Sequence, residues 1–300
     1  MKNKNYNISI VCAFLAAVFY AICAPISKLL LSEIPAAMMA ALLYLGAGIG
    51  MSIISINHRF KKVKAEISLS KNDLPYIIGM ILLDIVAPIF LMLGLSLSSP
   101  ANVSLLNNFE IVTTSLIALI IFKEFISRRV WLGIILVTIA SIILSLDEIN
   151  TITLSYGSIF VILACICWGF ENNCTKMLSK KDPMQIVIVK GLGSGMGALL
   201  ISFLLNEIST NIIYIILTLV LGFVSYGLSI YFYVSAQREL GAARTSAYYA
   251  IAPFIGVAIS FIIFKEKLTL SFILSFIIMI IGTYLISTVE KKNQIIKLAK

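Results

Sequence analysis

The stretch Ile120-Ile121-Phe122-Lys123-Glu124 returns unchanged as Ile262-Ile263-Phe264-Lys265-Glu266, 142 residues further along the chain. Two other pairs of markers follow in the same order at nearly the same shift: Gly46–Gly50 with Gly193–Gly197 at 147, and Tyr20 and Lys28 with Trp168 and Lys176 at 148. We therefore predict a duplicated unit of about half the chain. Residues 1–149 form the first copy and residues 150–300 the second, within one membrane domain.

The composition is that of a membrane protein. Hydrophobic residues make up 60% of the 300 residues, charged residues make up 12%, and the mean hydropathy is +1.03. A helix of about 20 apolar residues crosses the hydrocarbon core of a bilayer. Ten such spans, numbered 1 to 10 in chain order, are Ile8–Leu30, Ala36–Ile56, Leu74–Leu97, Ala101–Phe122, Val130–Leu146, Tyr156–Leu178, Met184–Leu205, Ile212–Gln237, Thr245–Phe264 and Leu268–Val289.

Each copy holds five spans, and an odd number makes the second copy cross the membrane in the opposite sense to the first. The sequence therefore predicts an all-α polytopic membrane protein with ten transmembrane helices in a five-plus-five inverted-topology repeat. Such repeats are typical of transporters, with the substrate site at the repeat interface near the bilayer midplane. Met1-Lys2-Asn3-Lys4 has the charge of a signal peptide. We nevertheless expect span 1 to be retained, because its counterpart, span 6, is internal.

The basic residues are concentrated on one side of the predicted membrane. With a cytoplasmic N-terminus, eighteen of the 23 Lys and Arg residues fall on the cytoplasmic side, and only Lys28, Lys265 and Lys267 fall on the other. Because such loops stay in the cytoplasm, we predict a multi-pass protein of the cell membrane with both termini cytoplasmic. The net charge of +9 then reflects orientation and anionic headgroups, not a nucleic-acid partner.

Three carboxylic acids fall inside the spans: Asp84 in span 3, Glu110 in span 4 and Glu171 in span 6. A charge at the bilayer centre costs about 2.5–3.5 kcal/mol on insertion scales, so such residues usually face the bundle interior and mark a pathway. Two purely structural explanations of these acids stay open. A buried acid can be protonated and bonded to a neighbouring helix, and Asp84 can serve backbone groups freed by Pro88.

Further polar residues accompany these acids on helical faces and on other spans. Asn107 and Thr114 share a face with Glu110, and Trp168, Asn172 and Thr175 share one with Glu171. These stripes on otherwise apolar helices indicate a shared aqueous cavity. The candidate substrate- and ion-binding residues are therefore the three acids together with Asn107, Asn172, Trp168, Tyr20, Tyr226, Tyr248 and Tyr249. The tyrosines line the cavity with their hydroxyls or else pack in the core.

Prolines, lysines and glycines inside the spans add three expectations. Pro25, Pro88 and Pro253 predict kinks and a cavity beside spans 1, 3 and 9. Lys28, Lys176 and Lys190 lie near helix ends, where each either extends to the headgroups or serves as counter-ion to a carboxylate. The glycine clusters of spans 2 and 7 provide close packing, or a seam on which the helices slide.

The two copies differ in their acids: Glu110 aligns with Ala252, Asp84 with Tyr226 and Glu171 with Cys23. A pseudosymmetric scaffold whose acids are asymmetric suits a transporter that couples an ion to movement of its substrate in one direction. The only histidine, His58, lies in a basic loop, the five cysteines pack within spans 1 and 6, and no phosphate-binding loop is present. We therefore expect no metal, no cofactor and no enzyme activity.

Three passages carry a family resemblance: Ala17–Lys28 with its counterpart Trp168–Lys176, Ala101–Glu124, and Ala243–Glu266. Over essentially the whole chain they resemble the EamA-type family of the drug/metabolite transporter superfamily. Where that family usually has Glu-Pro in span 4, this chain has Glu110-Ile111, and span 9 has Ala252-Pro253. The resemblance implies a basket-like bundle with spans 4 and 9 at its centre, which exports small metabolites such as amino acids, or cationic toxicants.

The sequence thus predicts a secondary transporter that moves a small organic molecule outward by alternating access, with Glu110 or Glu171 as the proton or cation site. Carboxylates facing aromatic rings favour an amine or cationic substrate, whereas a site centred on Lys28 or Lys176 would favour an anion. The alternative class is a membrane-embedded enzyme or lipid-handling protein that uses the same cavity. A proton or another ion is the expected coupling partner, and monomer and homodimer both stay open.

Overall fold

The computed structural model describes residues 2–60, 67–123, 126–147, 155–178, 180–240, 245, 248–266 and 268–287. Within them the elements are helical, and their bounds are Lys2–Ala21, Cys23–Leu30, Ala36–Phe60, a 3-10 turn at Lys71–Asp73, Leu74–Leu97, Pro100–Leu106, Phe109–Phe122, Arg128–Asp147, Tyr156–Leu178, Pro183–Leu204, Ile212–Gly222, a π-helical turn at Phe223–Leu228, Ser229–Leu240, Ala252–Phe264 and Leu270–Ser287. Nine helical stretches in this part of the chain are long and apolar enough to cross a membrane, and Ala252–Phe264 is a shorter apolar helix in span 9. The predicted all-α polytopic fold is confirmed.

Some features named in the sequence lie outside the described residues. These are Met1, the basic loop at 61–66, Glu124, the link at 148–154 where one copy was predicted to end, residues 241–244 with Arg244, Ser246 and Ala247, Lys267, and the tail 288–300. The proposed division of the chain at residues 149 and 150 therefore stays a prediction.

Three spans are interrupted near their middle. Span 1 turns at Ile22 and span 9 at residues 250–251, each shortly before a proline, Pro25 or Pro253. A proline removes the hydrogen bond to the residue four positions earlier, which weakens the helix there. Span 4 turns at residues 107–108, where the sequence is Asn-Asn and contains no proline. Span 3, in contrast, stays helical from Leu74 to Leu97 across Pro88.

The repeated stretch that opened the sequence ends two helices in the same way. Lys123 and Lys265 each adopt a left-handed backbone conformation, with φ of 52° and 49°. A left-handed residue directly after a helix lets its N–H reach back to the last turn, and Lys265 N–H donates to the carbonyl of Phe261 at 3.0 Å. The duplicated sequence therefore encodes duplicated helix ends in spans 4 and 9.

Lys28 joins the end of span 1 to the end of span 3. Its Nζ donates to the carbonyls of Leu95 at 2.5 Å and Ser98 at 2.8 Å. The last carbonyls of a helix have no partner within the helix, so the lysine satisfies groups that the membrane would leave bare. Both roles that the sequence left open for Lys28, extension to the headgroups and pairing with a carboxylate, stay predictions.

The spans pack in pairs that define two groups of helices. Span 3 packs with span 6, span 1 with span 8, span 2 with span 7, span 5 with span 10, and span 4 lies against spans 6 and 9. Spans 3, 4, 6 and 7 contain the three intramembrane acids and are hereafter the acidic helices. Spans 1, 2, 8 and 9 contain Tyr20, Tyr44, Tyr226 and Tyr249 and are the tyrosine helices. The two groups meet where span 2 packs on span 7 and span 4 on span 9.

Glycines make the contact between spans 2 and 7 close. A Cβ atom added to Gly191 would lie 2.4 Å from the backbone nitrogen of Gly48, and one added to Gly48 would lie 2.6 Å from that of Leu192. Because no side chain fits at these distances, the backbones can meet only through glycine. The glycine clusters therefore provide close packing, and the sliding seam stays a prediction.

Candidate functional site

Asp84, Glu171 and Lys190 form a buried ion-pair cluster where spans 3, 6 and 7 meet. Lys190 Nζ lies 3.0 Å from Asp84 Oδ2 and 2.8 Å from Glu171 Oε1. The lysine side chain is 8% exposed and the two acids less. One ammonium shared by two ionised carboxylates leaves one formal negative charge. These three residues are hereafter the acid–lysine cluster.

Two hydroxyl groups complete the contacts of this cluster. Tyr44 Oη, from the tyrosine helices, donates to Asp84 Oδ1 at 2.7 Å, and the Thr175 hydroxyl donates to Glu171 Oε1. Oδ1 of Asp84 therefore accepts a hydrogen bond, and Oδ2 is held by the ion pair with Lys190 alone. On Glu171, Lys190 and Thr175 both approach Oε1, and no described residue donates to Oε2.

The three intramembrane lysines differ in their surroundings. Lys190 is 6% exposed and pairs with two acids, so it is the counter-ion that the sequence left as an alternative. Lys176 is exposed near the end of span 6.

Asp84 does not bind the backbone groups freed by Pro88, which was one of the two alternatives for this acid. Its contacts are instead the side chains of Tyr44 and Lys190.

Glu110 lies directly after the interruption of span 4 and is half-buried. Its Oε1 accepts a hydrogen bond from Asn172 Nδ2 at 2.7 Å, and the same amide donates to Thr114 Oγ1 at 3.2 Å. Across the described ranges, no Lys or Arg forms an ion pair with Glu110. Its carboxylate is therefore not neutralised by a protein cation, in contrast to Asp84 and Glu171.

A small cavity lies beside the interruptions of spans 1, 4 and 9. Its volume is about 20 Å³, and spans 1, 3, 4 and 9 line it with residues that include Tyr20, Cys23, Leu91, Ser104, Asn107 and Pro253. The three proline-containing spans thus all contribute to the lining. A cavity of this size holds about one water molecule, so the site is closed in this conformation.

Tyrosine rings connect this cavity to the acid–lysine cluster. Tyr20 Oη accepts a hydrogen bond from Asn107 Nδ2 at 2.8 Å, and its ring centre lies 5.7 Å from that of Tyr249 and 6.2 Å from that of Tyr226. Tyr226 lies 4.9 Å from Tyr44, which donates to Asp84. Aromatic pairs at these distances attract each other beyond their burial, so the rings form one continuous row.

The interruption of span 4 is enclosed by span 6. Cys165 Sγ lies 3.9 Å from the carbonyl oxygen of Leu106 and 3.8 Å from that of Asn107. Thr113 Oγ1 donates to the carbonyl of Cys165 at 2.7 Å. Non-helical backbone at membrane depth is tolerated only where protein or a cavity surrounds it, and span 6 supplies that surrounding.

The structure separates two predicted site residues from the others. Trp168 is 5% exposed within the main apolar core and is not among the residues that line the cavity. Tyr248 packs on Phe14, with ring centres 5.1 Å apart, in a satellite cluster around Ala13 and Leu240. Both occupy packing positions in this conformation, and their binding role stays a prediction.

Two residues of the site, Tyr44 and Lys190, were missing from the sequence-based set. A usable signal was present, because Tyr44 lies two residues before Gly46 and Lys190 directly precedes Gly191. A polar residue beside a glycine contact of two helices lies in the bundle interior. Among the residues that the structure describes, no group of three His, Cys, Asp or Glu side chains is placed to hold a metal ion.

The chain is similar to one family of membrane proteins over nearly its full length. The family model described as EamA-like transporter family matches residues 7–146 and again residues 155–288. An uncharacterized transporter of Methanothermobacter thermautotrophicus is 27% identical over 288 residues, which cover 90% of this chain and 83% of that protein. The uncharacterized transporter YyaM of Bacillus subtilis is 23% identical over 226 residues, covering 72% and 73% of the two chains.

One protein of known crystal structure shares the fold. It is 12% identical in sequence and superposes with a TM-score of 0.67 over 93% of this chain and 96% of its own. At this level of identity the likeness concerns the fold alone.

Proposed function

The chain belongs to the EamA-like transporter family, and on that premise we propose that it exports small organic solutes that carry an amine or another cationic group. It is a multi-pass membrane protein whose relatives are named transporters. The observation that carries the proposal is the position of Glu110, an acid that forms no ion pair with any described Lys or Arg and lies beside a row of tyrosine rings. A solute cation would supply the missing charge.

The surroundings of Glu110 support a cationic group in the substrate. Tyr20 and Tyr249 lie near enough to Glu110 to interact with it electrostatically, and the electron-rich face of an aromatic ring attracts ammonium groups by about 0.5–2 kcal/mol. The interruptions add helix termini with partial charges of both signs. Ala21 and Leu106 are the last residues of helices, and Phe109 and Ala252 are the first residues of others. Helix starts attract anionic groups and helix ends attract cations. Amino acids, which carry both charges, therefore fit as well as simple amines.

The size of the cavity supports transport by alternating access. A volume of about 20 Å³ is too small for an amino acid, so loading requires the helices to move apart. The described side-chain hydrogen bonds between the acidic helices and the tyrosine helices include Asn107 to Tyr20, Tyr44 to Asp84, and Lys28 to the carbonyls at the end of span 3. Single hydrogen bonds of this kind contribute about 0.5–3 kcal/mol, so the two groups can separate without a large barrier from these contacts.

The proposed orientation places both termini in the cytoplasm and inverts the second copy relative to the first. The distribution of basic residues supports it, with eighteen Lys and Arg on the proposed cytoplasmic side against three on the other. Reporter domains fused before Met1 and after Lys300 test it. Both reporters should be active on the cytoplasmic side, and reporters in opposite compartments would rule out the inverted repeat.

A thermal-shift panel tests the substrate class. Purified protein is heated with amino acids, primary and quaternary amines, and dicarboxylates. A bound ligand at 100 times its Kd stabilises the protein by about 2.7 kcal/mol, so amines should raise the unfolding temperature and dicarboxylates should not. Glu110→Gln should abolish this stabilisation, whereas Glu33→Gln, at an exposed acid after span 1, should preserve it. Stabilisation only by anions, or unchanged stabilisation in Glu110→Gln, would contradict the proposal.

A further inference from the structure

The charges of the acid–lysine cluster do not balance, and the cluster is not part of the cavity wall. We propose that Asp84, Lys190 and Glu171 form a second ion site that holds one exchangeable proton, carried by Oε2 of Glu171. Lys190 is the fixed counter-cation that keeps Asp84 ionised. Only the use of this proton for coupling rests on the proposed transport function, and its binding does not.

Electroneutrality sets the number of protons. Removing an unpaired charge from water into a protein interior costs several kcal/mol, even after relaxation. With both acids ionised and Lys190 charged, the cluster carries one net negative charge, and no other described cation forms an ion pair with it. One added proton makes the cluster neutral. The stable buried form therefore contains one ammonium, one carboxylate and one carboxylic acid.

Hydrogen bonding indicates which acid carries the proton. Asp84 Oδ1 accepts a hydrogen bond from Tyr44 at 2.7 Å, and Asp84 Oδ2 faces the Lys190 ammonium at 3.0 Å in an ion pair, so a hydrogen on either oxygen would point at a group that already presents hydrogens to it. Glu171 receives Lys190 and Thr175 on Oε1 alone. Its Oε2 has no donor among the described residues. A carboxylic acid carries its hydrogen on one oxygen, and this oxygen is Oε2 of Glu171.

Other titratable groups lie around Glu171, and none of them supplies a second cation. Those that interact with it electrostatically are Asp84 of span 3, Lys190 of span 7, Tyr44 of span 2, Glu110 of span 4 and Cys174 of its own helix. Phenols and thiols are ordinarily neutral near pH 7. Glu110 adds a further negative charge, not a cation, when it is ionised.

An apolar layer separates the cluster from the nearer membrane face. Met80, Leu178 and Ile186 are fully buried and pack together, with Met80 and Ile186 one helical turn from Asp84 and Lys190. Beyond this layer lies the surface ion pair of Asp73 and Lys181, with Nζ and Oδ2 2.8 Å apart. A proton on Glu171 is therefore sealed from this face in the present conformation. Its exchange requires the helices to move, as coupling to transport demands.

Infrared spectroscopy of the protein in liposomes counts protonated carboxyl groups directly, by their C=O stretching band, and needs no substrate. Glu171→Gln should lose one carboxylic acid relative to the native protein. Asp84→Asn should lose the same one, because the remaining pair of Lys190 and Glu171 is neutral without a proton. Lys190→Met should gain one, because two acids then lack a cation. Glu33→Gln, the exposed control, should leave the count unchanged.

The amide bands in the same spectra report helix content, so a misfolded variant is recognised and excluded from the count. If Lys190→Met fails to fold, the near-isosteric Glu171→Gln and Asp84→Asn variants still show whether the cluster holds a proton. An unchanged count of protonated carboxyls in Glu171→Gln, or a count in Asp84→Asn that matches the native protein, would overturn the proton site.

The same variants separate this inference from the proposed function. Amine-driven proton movement in native proteoliposomes tests transport, and the infrared count tests the proton site. Transport with no proton on Glu171 would overturn the inference and leave the proposed function intact. A proton on Glu171 without transport of any amine would overturn the proposed function and leave the proton site intact.

Discussion

The acid–lysine cluster draws on both copies, and the residues that the repeat aligns with it occupy matching positions with opposite chemistry. At shifts of 142, 148 and 147 residues, Asp84 aligns with Tyr226, Glu171 with Cys23, and Lys190 with Leu43; the Lys190–Leu43 match uses the shift of the glycine clusters. In the acidic helices an ammonium joins two carboxylates. In the tyrosine helices, the Tyr226 ring lies 4.9 Å from that of Tyr44 at an interplanar angle of 60°, and its hydroxyl makes no hydrogen bond within the described part of the chain.

This difference indicates what the charges are for. Span 3 packs closely on span 6, and its counterpart span 8 packs closely on span 1, where no charged side chain of the described residues is buried. The helix arrangement is therefore available to neutral side chains. Buried ion pairs commonly contribute no more stability than apolar residues of similar size, and ionisable residues in membranes usually mark ion pathways. We infer that the charges are present for binding and coupling, not for folding.

The largest expected loss of stability comes from Lys190→Met. Removing one partner from a buried ion pair leaves an uncompensated charge and costs about 3–5 kcal/mol. Chemical unfolding in detergent measures this loss. The matched control is Lys180→Met, at an exposed lysine, whose free energy of unfolding should stay within about 0.5 kcal/mol of the native value. The triple variant Lys190→Leu, Asp84→Asn, Glu171→Gln should recover most of the stability, because it gives the acidic helices the neutrality of the tyrosine helices. Failure to recover would mean that the charges hold the fold.

A smaller loss is expected at the contact between the two groups of helices. In Gly191→Ala the new methyl group would meet the backbone of Gly48 at 2.4 Å, which cannot give way without separating spans 2 and 7. Overpacking of this kind costs about 1–3 kcal/mol. In Gly193→Ala the nearest atom is Ile81 Cδ1 at 2.7 Å, the end of a flexible side chain. Unfolding should therefore show a clear loss for Gly191→Ala and a smaller one for Gly193→Ala; equal losses would contradict the close backbone contact.

The smallest expected change in stability comes from removing the hydroxyl groups of two neighbouring tyrosines, Tyr44 and Tyr226. Tyr44→Phe removes a hydrogen bond to a carboxylate, which contributes about 1.5–3 kcal/mol, and the loss should lie at the lower end because Lys190 still pairs with Asp84. Tyr226→Phe removes a buried hydroxyl that has no hydrogen-bond partner among the described residues. Its stability should be unchanged or slightly higher. A loss for Tyr226→Phe as large as that for Tyr44→Phe would show that the two regions are chemically alike.

The sequence predicted the spans and the intramembrane acids because hydropathy and the cost of burying charge are local properties. It did not identify Lys190 as the counter-ion, because a lysine seven residues inside a helix can reach either the headgroups or a neighbour. Which one it reaches depends on how the helices are rotated against each other. The packing of Trp168 and Tyr248 could not be predicted for the same reason, since a helical face shows where a side chain points but not which residue it contacts.

The interruption of span 4 was a second feature beyond the reach of sequence rules. Those rules locate helix breaks at prolines, and Pro25 and Pro253 did indicate the breaks of spans 1 and 9. At residues 107–108 the break depends on partners in span 6, above all Cys165, which lies against the freed carbonyls. A tertiary contact of this kind leaves no local signature in the sequence.

The account is tested most directly by proton movement in proteoliposomes. An outward gradient of the amine that stabilises the protein best should drive protons inward in native protein, as read by a trapped pH-sensitive dye. Glu110→Gln and Glu171→Gln should each abolish this movement while the protein stays folded, and Glu33→Gln should retain it. Native proton movement in both variants would contradict the account.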